Sequence, residues 1–437
     1  MTVQRKLSLP NFRDLVVGTQ TRPIIGNVER ILGTMIEVRM AGLRIGEVCR
    51  IHDPSGVVLD AEVVGLEGVL ARLTPLGEPT GLSSDAVVER VGAPLSVAVS
   101  GDVLGCVFDG LGRPLDGIPA PRGMAMRLEG CPPSAFNRRR VTQPLATGVR
   151  VIDGLLTCAE GQRIGIFGSA GAGKSTLLAQ IVAGTQADVI VVGLVGERGR
   201  EVGDFMASLD RMGAREHTSV VAATSDRPAL ERVKAAQTAT AIAEWFRDQG
   251  KSVLLVIDSL TRLARAWREI GLAAGEPPAR RGFPPSVFAA LPRLLERAGP
   301  GENGSITAFY TVLVEGDLAS DPVAEDVKAI VDGHIVLSPD LAARDHFPAI
   351  NVLASRSRLM HHVVSEQQRT AATHIRALLQ RLDEIEMLVR VGEYRPGEDK
   401  LADEALAKRT AIDDFLCQDS TPVSFAQTVG ALEKIAS

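Results

Sequence analysis

The stretch "RIGIFGSAGAGKSTLLAQIVAG", residues 163–184, restricts the fold of this chain more than any other. An apolar run ends in glycine, a turn of small residues follows, and a helix-forming run starts at Lys174 and Ser175. Gly168, Gly173, Lys174 and Ser175 satisfy G-x-x-x-x-G-K-[ST]. In that motif, backbone N–H groups and a helix N-terminus together cradle phosphates. Gly168, Ser169, Ala170, Gly171, Ala172, Gly173, Lys174, Ser175 and Thr176 are therefore the expected nucleotide-binding positions. Lys174 would reach the β- and γ-phosphates of ATP, and the Ser175 hydroxyl would ligate Mg²⁺.

From about Gly161 apolar runs alternate with helix-like segments: "RIGIFG", "DVIVVGLVG", "SVVAATS", "SVLLVIDS", "SITAFYTVLV" and "HIVLS". This rhythm predicts an α/β domain whose parallel sheet is covered on both faces. In such a sheet ligands gather at the carboxyl ends of the strands. "KSVLLVIDS" brings Asp258 to one of those ends as a second Mg²⁺ anchor, of Walker B type. Asp258 could also cap the following helix, "SLTRLARAWREI", and both roles can hold. "ADVIVVGLVGE" brings Glu197 to a second strand end, where it could orient the attacking water. The residues alone leave an alternative open, in which Glu197 pairs with Arg198, Arg200 or a helix N-terminus.

The flanking segments have other patterns. After a tail of residues 1–22, residues 23–92 hold short strand-like runs with Gly, Pro and Asp between them. They predict a small β-barrel, with edge strands of one larger sheet as the alternative. The ATPase core would then span residues 93–364. Within it, residues 107–150 are rich in Pro and Gly and read as an extended connector rather than regular elements. In residues 365–437, Ile375, Leu378, Leu379, Leu382, Ile385, Leu388 and Val389 repeat at three- and four-residue spacing, which predicts a helical C-terminal domain.

Composition removes several classes of function. Of 437 residues, 48 are Lys or Arg and 53 are Asp or Glu, so a net charge of −5 gives no basic excess for nucleic acid or anionic membrane. The five scattered cysteines form neither a C-x-x-C nor a His/Cys cluster, and a reducing cytosol is expected. His361 and His362 are adjacent and expected to face opposite ways. The N-terminus lacks a signal-peptide apolar region and no apolar run reaches a membrane span. Any membrane association is expected to go through partners only.

Beyond the phosphate loop, "VGERGREVGDF", "DSLTRLARAWREIG", "TVLVEGD", "DGHIVLS", "FPAINVLASRSRLM", "VFDGLGRPLDG" and "LATGVRVIDGLLTCAEGQR" resemble the type III secretion ATPases. These are relatives of the F-type ATP synthase catalytic subunit, and the likeness runs from about residue 24 to the C-terminus. "SAG" in the loop, "LLTCAEGQ" before it and "FLCQ" near the end resemble the injectisome branch more than the flagellar one. The resemblance implies a homohexamer with a barrel, a RecA-like core and a helical domain in each subunit. It implies MgATP hydrolysis at subunit interfaces, driving chaperone release, substrate unfolding and export. Stalk and stator proteins, export chaperones and secreted substrates would be partners at the cytoplasmic side of the inner membrane. Glu197 would be the catalytic carboxylate, Arg198 its neighbour near the γ-phosphate, and Phe347 the ring stacked on adenine. Arg358 would be an arginine finger reaching the adjacent subunit's nucleotide.

Some positions depart from the family pattern. Phe347 stands where Tyr is common, Leu318 where a second acidic residue is common, and Trp267 where a polar residue is usual. Arg356 precedes Arg358 in "SRSR", and the sequence does not decide whether it shares the finger role. An RNA-dependent hexameric translocase would share the core. It would want stacking aromatics, yet residues 23–91 contain no Tyr, Trp or Phe. A rotary synthase subunit would need a second subunit type, whereas this chain carries both the Glu and the S-x-S-R arginine.

Overall fold

The computed structural model describes residues 24–134, 136–314, 316 and 320–437. The expected tail, residues 1–22, and Leu318 lie outside the described residues. The chain divides into two compact units, one ending at Leu95 and the other beginning at Ser96.

In the first unit, strands β1 (Ile25–Leu32), β2 (Met35–Arg39), β3 (Glu47–His52), β4 (Val58–Glu67), β5 (Leu70–Pro75) and β6 (Val87–Pro94) form a closed barrel. Its order is β1-β2-β5-β4-β3-β6, antiparallel throughout. Period-two alternation sends Ile36, Val38, Ile51, Val63, Leu73 and Val88 inward to a core of their own. β6 pairs with both β1 and β3, so the edge-strand alternative fails: closure leaves no open edge.

The second unit is built on a nine-stranded sheet among the described residues. Its main strands are β7 (Val107–Phe108), β8 (Arg163–Gly168), β9 (Val189–Glu197), β10 (Thr218–Thr224), β11 (Ser252–Asp258), β12 (Ser305–Leu313), β13 (Gly333–Leu337) and β14 (Ile350–Ser357). They lie in the order β14-β13-β8-β12-β11-β9-β10-β7, and the two-residue strand Gly299–Pro300 pairs beside β12. From β13 to β7 neighbours run parallel, β14 runs antiparallel to β13, and Gly299–Pro300 antiparallel to β12. All nine residues of β9 are buried, which is why these strands read as unbroken apolar runs.

The expected connector, residues 107–150, is not wholly irregular. β7 joins the sheet edge, Met124–Arg127 pairs with Ser96–Val99, and Pro144–Leu145 pairs with Cys158–Ala159. Pro- and Gly-rich sequence hid these elements because they are only two to four residues long. Arg297, buried in an ion pair with Glu244 at 2.6 Å, also donates to the Leu128 carbonyl and so fixes this segment to the core.

Three helices complete the chain: Glu366–Arg390, Lys400–Leu416 and Phe425–Ala436. Side chains of Ser365, Asp399 and Ser424 cap their N-termini. Ile375, Leu378 and Ile385 are buried as their spacing predicts, while Leu388 and Val389 at the end of the same face are exposed. His361 and His362 depart from expectation: on the short helix Met360–Val363 their ring centroids lie 3.8 Å apart. Successive helical residues are separated by about 100°, not 180°, so two large rings can meet.

Candidate active site

The phosphate loop joins β8 to the helix Lys174–Gly184. Gly171 and Gly173 adopt φ of 84° and 82°, the left-handed region that side-chain-bearing residues avoid. Gly173 occupies the cap position and supplies no side-chain acceptor, so the first N–H groups of the helix are left for an anion. Ser175 and Thr176 are exposed at this end, and Ala172 is buried beneath it.

Three strand ends converge on the loop. Lys174 Nζ lies 2.6 Å from Asp258 Oδ1 at the end of β11 and 3.8 Å from Glu197 Oε1 at the end of β9. Asp258 Oδ1 also accepts the Thr311 hydroxyl of β12 at 2.6 Å. The cap of the helix Leu260–Ala273 is Ser259, whose Oγ accepts the Arg262 N–H. That corrects the capping alternative for Asp258 and leaves its carboxylate facing the loop.

Glu197 is buried, and its Oε1 accepts no hydrogen bond. Oε2 is held at 2.7 Å by Arg262, whose guanidinium also donates to the Gly196 carbonyl. Burial pushes the Glu197 carboxyl up to about 8, with further raising from Glu201 and Asp258 that Lys174 and Arg262 partly offset. Glu201, hydrogen-bonded to Glu197, is shifted the other way. The pair can therefore hold one proton near neutral pH, mostly on Glu197.

The charged turn after Glu197 separates into distinct environments. Arg198 is exposed and 3.9 Å from Glu201. Arg200 faces Asp204 at 3.8 Å rather than pairing with Glu197. On a helix, residues one apart point in different directions while residues four apart are neighbours. Glu201 turns inward toward Glu197 and Arg262.

Phe347 lies beside the loop, where a Cβ added at Gly173 would sit 3.1 Å from its ring. Its carbonyl accepts the Gln418 N–H at 2.8 Å. Phe347, Arg150, Cys417, Gln418 and Thr421 line a cavity of about 540 Å³, a size suited to a small ligand. "FLCQ" thus ends at this cavity's wall.

Arg358 is elsewhere. Ser357 is level with Gly333, and Gly333 with Ile164 near the start of β8, because β14 runs antiparallel. At about 3.3 Å per residue, Arg358 lies roughly a full strand length, about 17 Å, from the loop that follows Gly168. Its Nη2 donates to the Lys328 carbonyl at 3.3 Å.

Comparison with known proteins agrees with this architecture. The beta-barrel domain of the ATP synthase alpha/beta family matches residues 28–92, and its nucleotide-binding domain matches residues 148–357. The EscN ATPase C-terminal domain of type III secretion systems matches residues 364–434. The chain is 55% identical over 423 residues to a type 3 secretion system ATPase of Sinorhizobium fredii, covering 95% of this chain and 93% of that one. It belongs to the type III secretion ATPases. A flagellum-specific ATP synthase of Bacillus subtilis is 45% identical, covering 97% of each chain. The assembled ATPase EscN of enteropathogenic E. coli superposes with a TM-score of 0.90 at 46% identity, covering 94% of this chain and all of that one. EscN in complex with its central stalk EscO superposes at 0.88, with the same identity and coverage.

Among the described residues no three His, Cys, Asp or Glu side chains form a metal cage. This secretion ATPase instead presents one hydroxyl, Ser175, and one carboxylate, Asp258. Hard oxygen donors of that number suit Mg²⁺, which keeps its waters and phosphate ligands. Sequence reasoning missed Arg262 and Thr311. A lone hydroxyl within the apolar β12, and an arginine one turn into the helix after Asp258, were the available signals. Nothing in the structure explains Trp267. No helix among the described residues is long and apolar enough to cross a membrane.

Proposed function

We propose that this type III secretion ATPase hydrolyses MgATP at the subunit interfaces of a homohexamer and thereby powers protein export. The observation that carries the reading is the separation of charges. Lys174, Asp258 and Glu197 meet around the loop, whereas Arg358 lies at the opposite end of the sheet. A finger so placed can act only on another subunit's nucleotide.

The residues divide the work as follows. N–H groups of residues 169–176 bind the phosphates, and Phe347 stacks on the base beside Gly173. Lys174, paired with Asp258 in the free chain, swings to the β- and γ-phosphates. Ser175 and Asp258 would hold Mg²⁺, which supplies charge neutralisation on the phosphoryl oxygens. Arg262 fixes one oxygen of Glu197 and leaves Oε1 to hold the attacking water. Only the ionised form of Glu197 can take a proton from that water, so a carboxyl that burial raises to about 8 makes turnover rise with pH up to that value. Arg198, exposed beside the site, follows the γ-phosphate. Arg358 neutralises charge on the phosphoryl group in trans.

Stalk and stator proteins, export chaperones and their cargo are the proposed partners, at the cytoplasmic face of the inner membrane. EscN's complex with EscO supports the stalk. Identity of 55% to the Sinorhizobium secretion ATPase against 45% to the flagellar protein favours an injectisome. The test is a mixed ring. Glu197→Gln and Arg358→Ala proteins, each inactive alone, should regain ATPase activity when co-assembled. Absence of recovery in verified mixed assemblies would remove the trans finger.

A further inference from the structure

A second cavity, of about 540 Å³, opens between the sheet edge and the helix Glu366–Arg390. His334 of β13, Leu353 and Arg356 of β14, Met360 and Arg376 are among its lining residues, and none of the lining residues is an acid. Arg356 pairs across strands with His334, and its side chain makes no ion pair among the described residues. Arg376 Nη2 donates to the Ser355 carbonyl at 3.0 Å, while burial and the adjacent Arg356 both disfavour its charge. Two guanidinium groups therefore share a cavity wall with no counter-charge. His334 is 9% exposed; its Nε2 lies 3.1 Å from the Ala354 carbonyl, and its Nδ1 is buried without a partner. The Nε2 contact makes that nitrogen the donor and Nδ1 a bare acceptor.

Like charges side by side and an orphaned buried nitrogen both raise the energy of the empty cavity. A tetrahedral oxyanion relieves both, because arginine forks bond such groups two oxygens at a time. We propose that this cavity binds a phosphate-type oxyanion, held by Arg356 and Arg376 with His334 beside it. The site is separate from the loop at Lys174.

Binding would be linked to a proton. The charged groups facing His334 are Lys328 from the helix Pro322–Ile330, and Arg356 and Arg358 from the β14 segment. The Phe167 ring of β8 stands edge-on at 6.4 Å. Burial and these cations hold the His334 pKa below its ordinary value, so the ring is neutral without an anion. An anion offsets the cations and so favours uptake of a proton at Nδ1. Affinity then rises as pH falls, by at most about tenfold per pH unit for one proton.

The test uses the full-length chain carrying Lys174→Ala, which weakens phosphate binding at the loop. Sulfate keeps its charge between about pH 6 and pH 8, and its binding is followed by calorimetry. One sulfate site is expected, tighter at the lower pH, weakened about tenfold or more by Arg356→Gln and by Arg376→Gln. His334→Gln should bind with no pH slope. Inorganic phosphate and ADP as competitors separate the sources. Displacement by phosphate alone assigns free phosphate, and displacement by ADP assigns a nucleotide phosphate. Sulfate binding unchanged in Arg356→Gln overturns the site, and because Arg356 is exposed this variant does not depend on refolding the core. No sulfate binding, together with a change in oligomeric state on Arg356→Gln by ultracentrifugation, overturns it in favour of an acid from a second copy.

Discussion

The two ends of the central sheet carry similar side chains in opposite states of satisfaction. At the carboxyl end the charges around the loop have partners within the chain: Lys174 on Asp258 at 2.6 Å, and Arg262 on Glu197 at 2.7 Å. At the far end of β14 the cations outnumber any answer to them. Arg356 and Arg376 share a cavity without an acid, and among the described residues the Arg358 guanidinium donates only to a carbonyl. A closed set of charges can be opened by a substrate that outbids one internal pair. An open set waits for negative charge from outside the subunit. One chain thus carries the phosphate loop at one end of the sheet and Arg358, the proposed finger, at the other.

The contrast can be broken most decisively at Arg358. Arg358→Ala in assembled protein should lower kcat by about 10³–10⁵ with nucleotide affinity retained. A loss below tenfold at matched assembly would mean that the two ends do not cooperate. Next, Glu197→Gln should cost about 10²–10⁴ in kcat and still bind ATP. Near-normal turnover would transfer the carboxylate role to Glu201, its proton-sharing neighbour.

A smaller effect belongs to Phe347. Phe347→Ala should raise KM for ATP about tenfold, in keeping with about 1–3 kcal/mol per stacked base, while kcat changes less. Phe347→Tyr should keep the affinity, since stacking needs only the ring; a loss there would point to steric limits beside Gly173.

The smallest expected effect is on stability against pH. Glu197 stays protonated to about 8 in the folded chain, against an ordinary value of 4.5. Between those values the folded state holds more protons than the unfolded state, so stability falls as pH rises. Thermal unfolding of nucleotide-free protein should show this slope. Glu197→Gln should flatten it, and Arg262→Gln, which removes a cation, should steepen it toward higher pH. A slope unchanged in Glu197→Gln would place the titrating group elsewhere.

Much of the site was legible before any coordinates. The loop of residues 168–176 announces itself because its glycines, lysine and hydroxyl are adjacent in the chain. Glu197 and Asp258 were legible because each ends an apolar run, and parallel strands bring such ends together. Arg262 was not, since its role depends on how one helix turn aims at a strand two positions away in sequence order. Thr311 was hidden in the same way, within a strand whose other residues are apolar. The charges after Glu197 were visible but not their pairing, because i and i+1 neighbours on a helix do not face each other.

Sequence alone determined the phosphate loop, the parallel sheet that must carry it, the barrel pattern of the N-terminal strands and the family. These depend on local spacing and on hydrophobic period, which a linear chain displays openly. Tertiary structure decided that Glu197 is buried with one oxygen free, and that Arg262 holds the other. It also decided that β14 turns back and carries Arg358 away from its own loop. Those outcomes come from strand direction and burial, which depend on residues far apart in the chain.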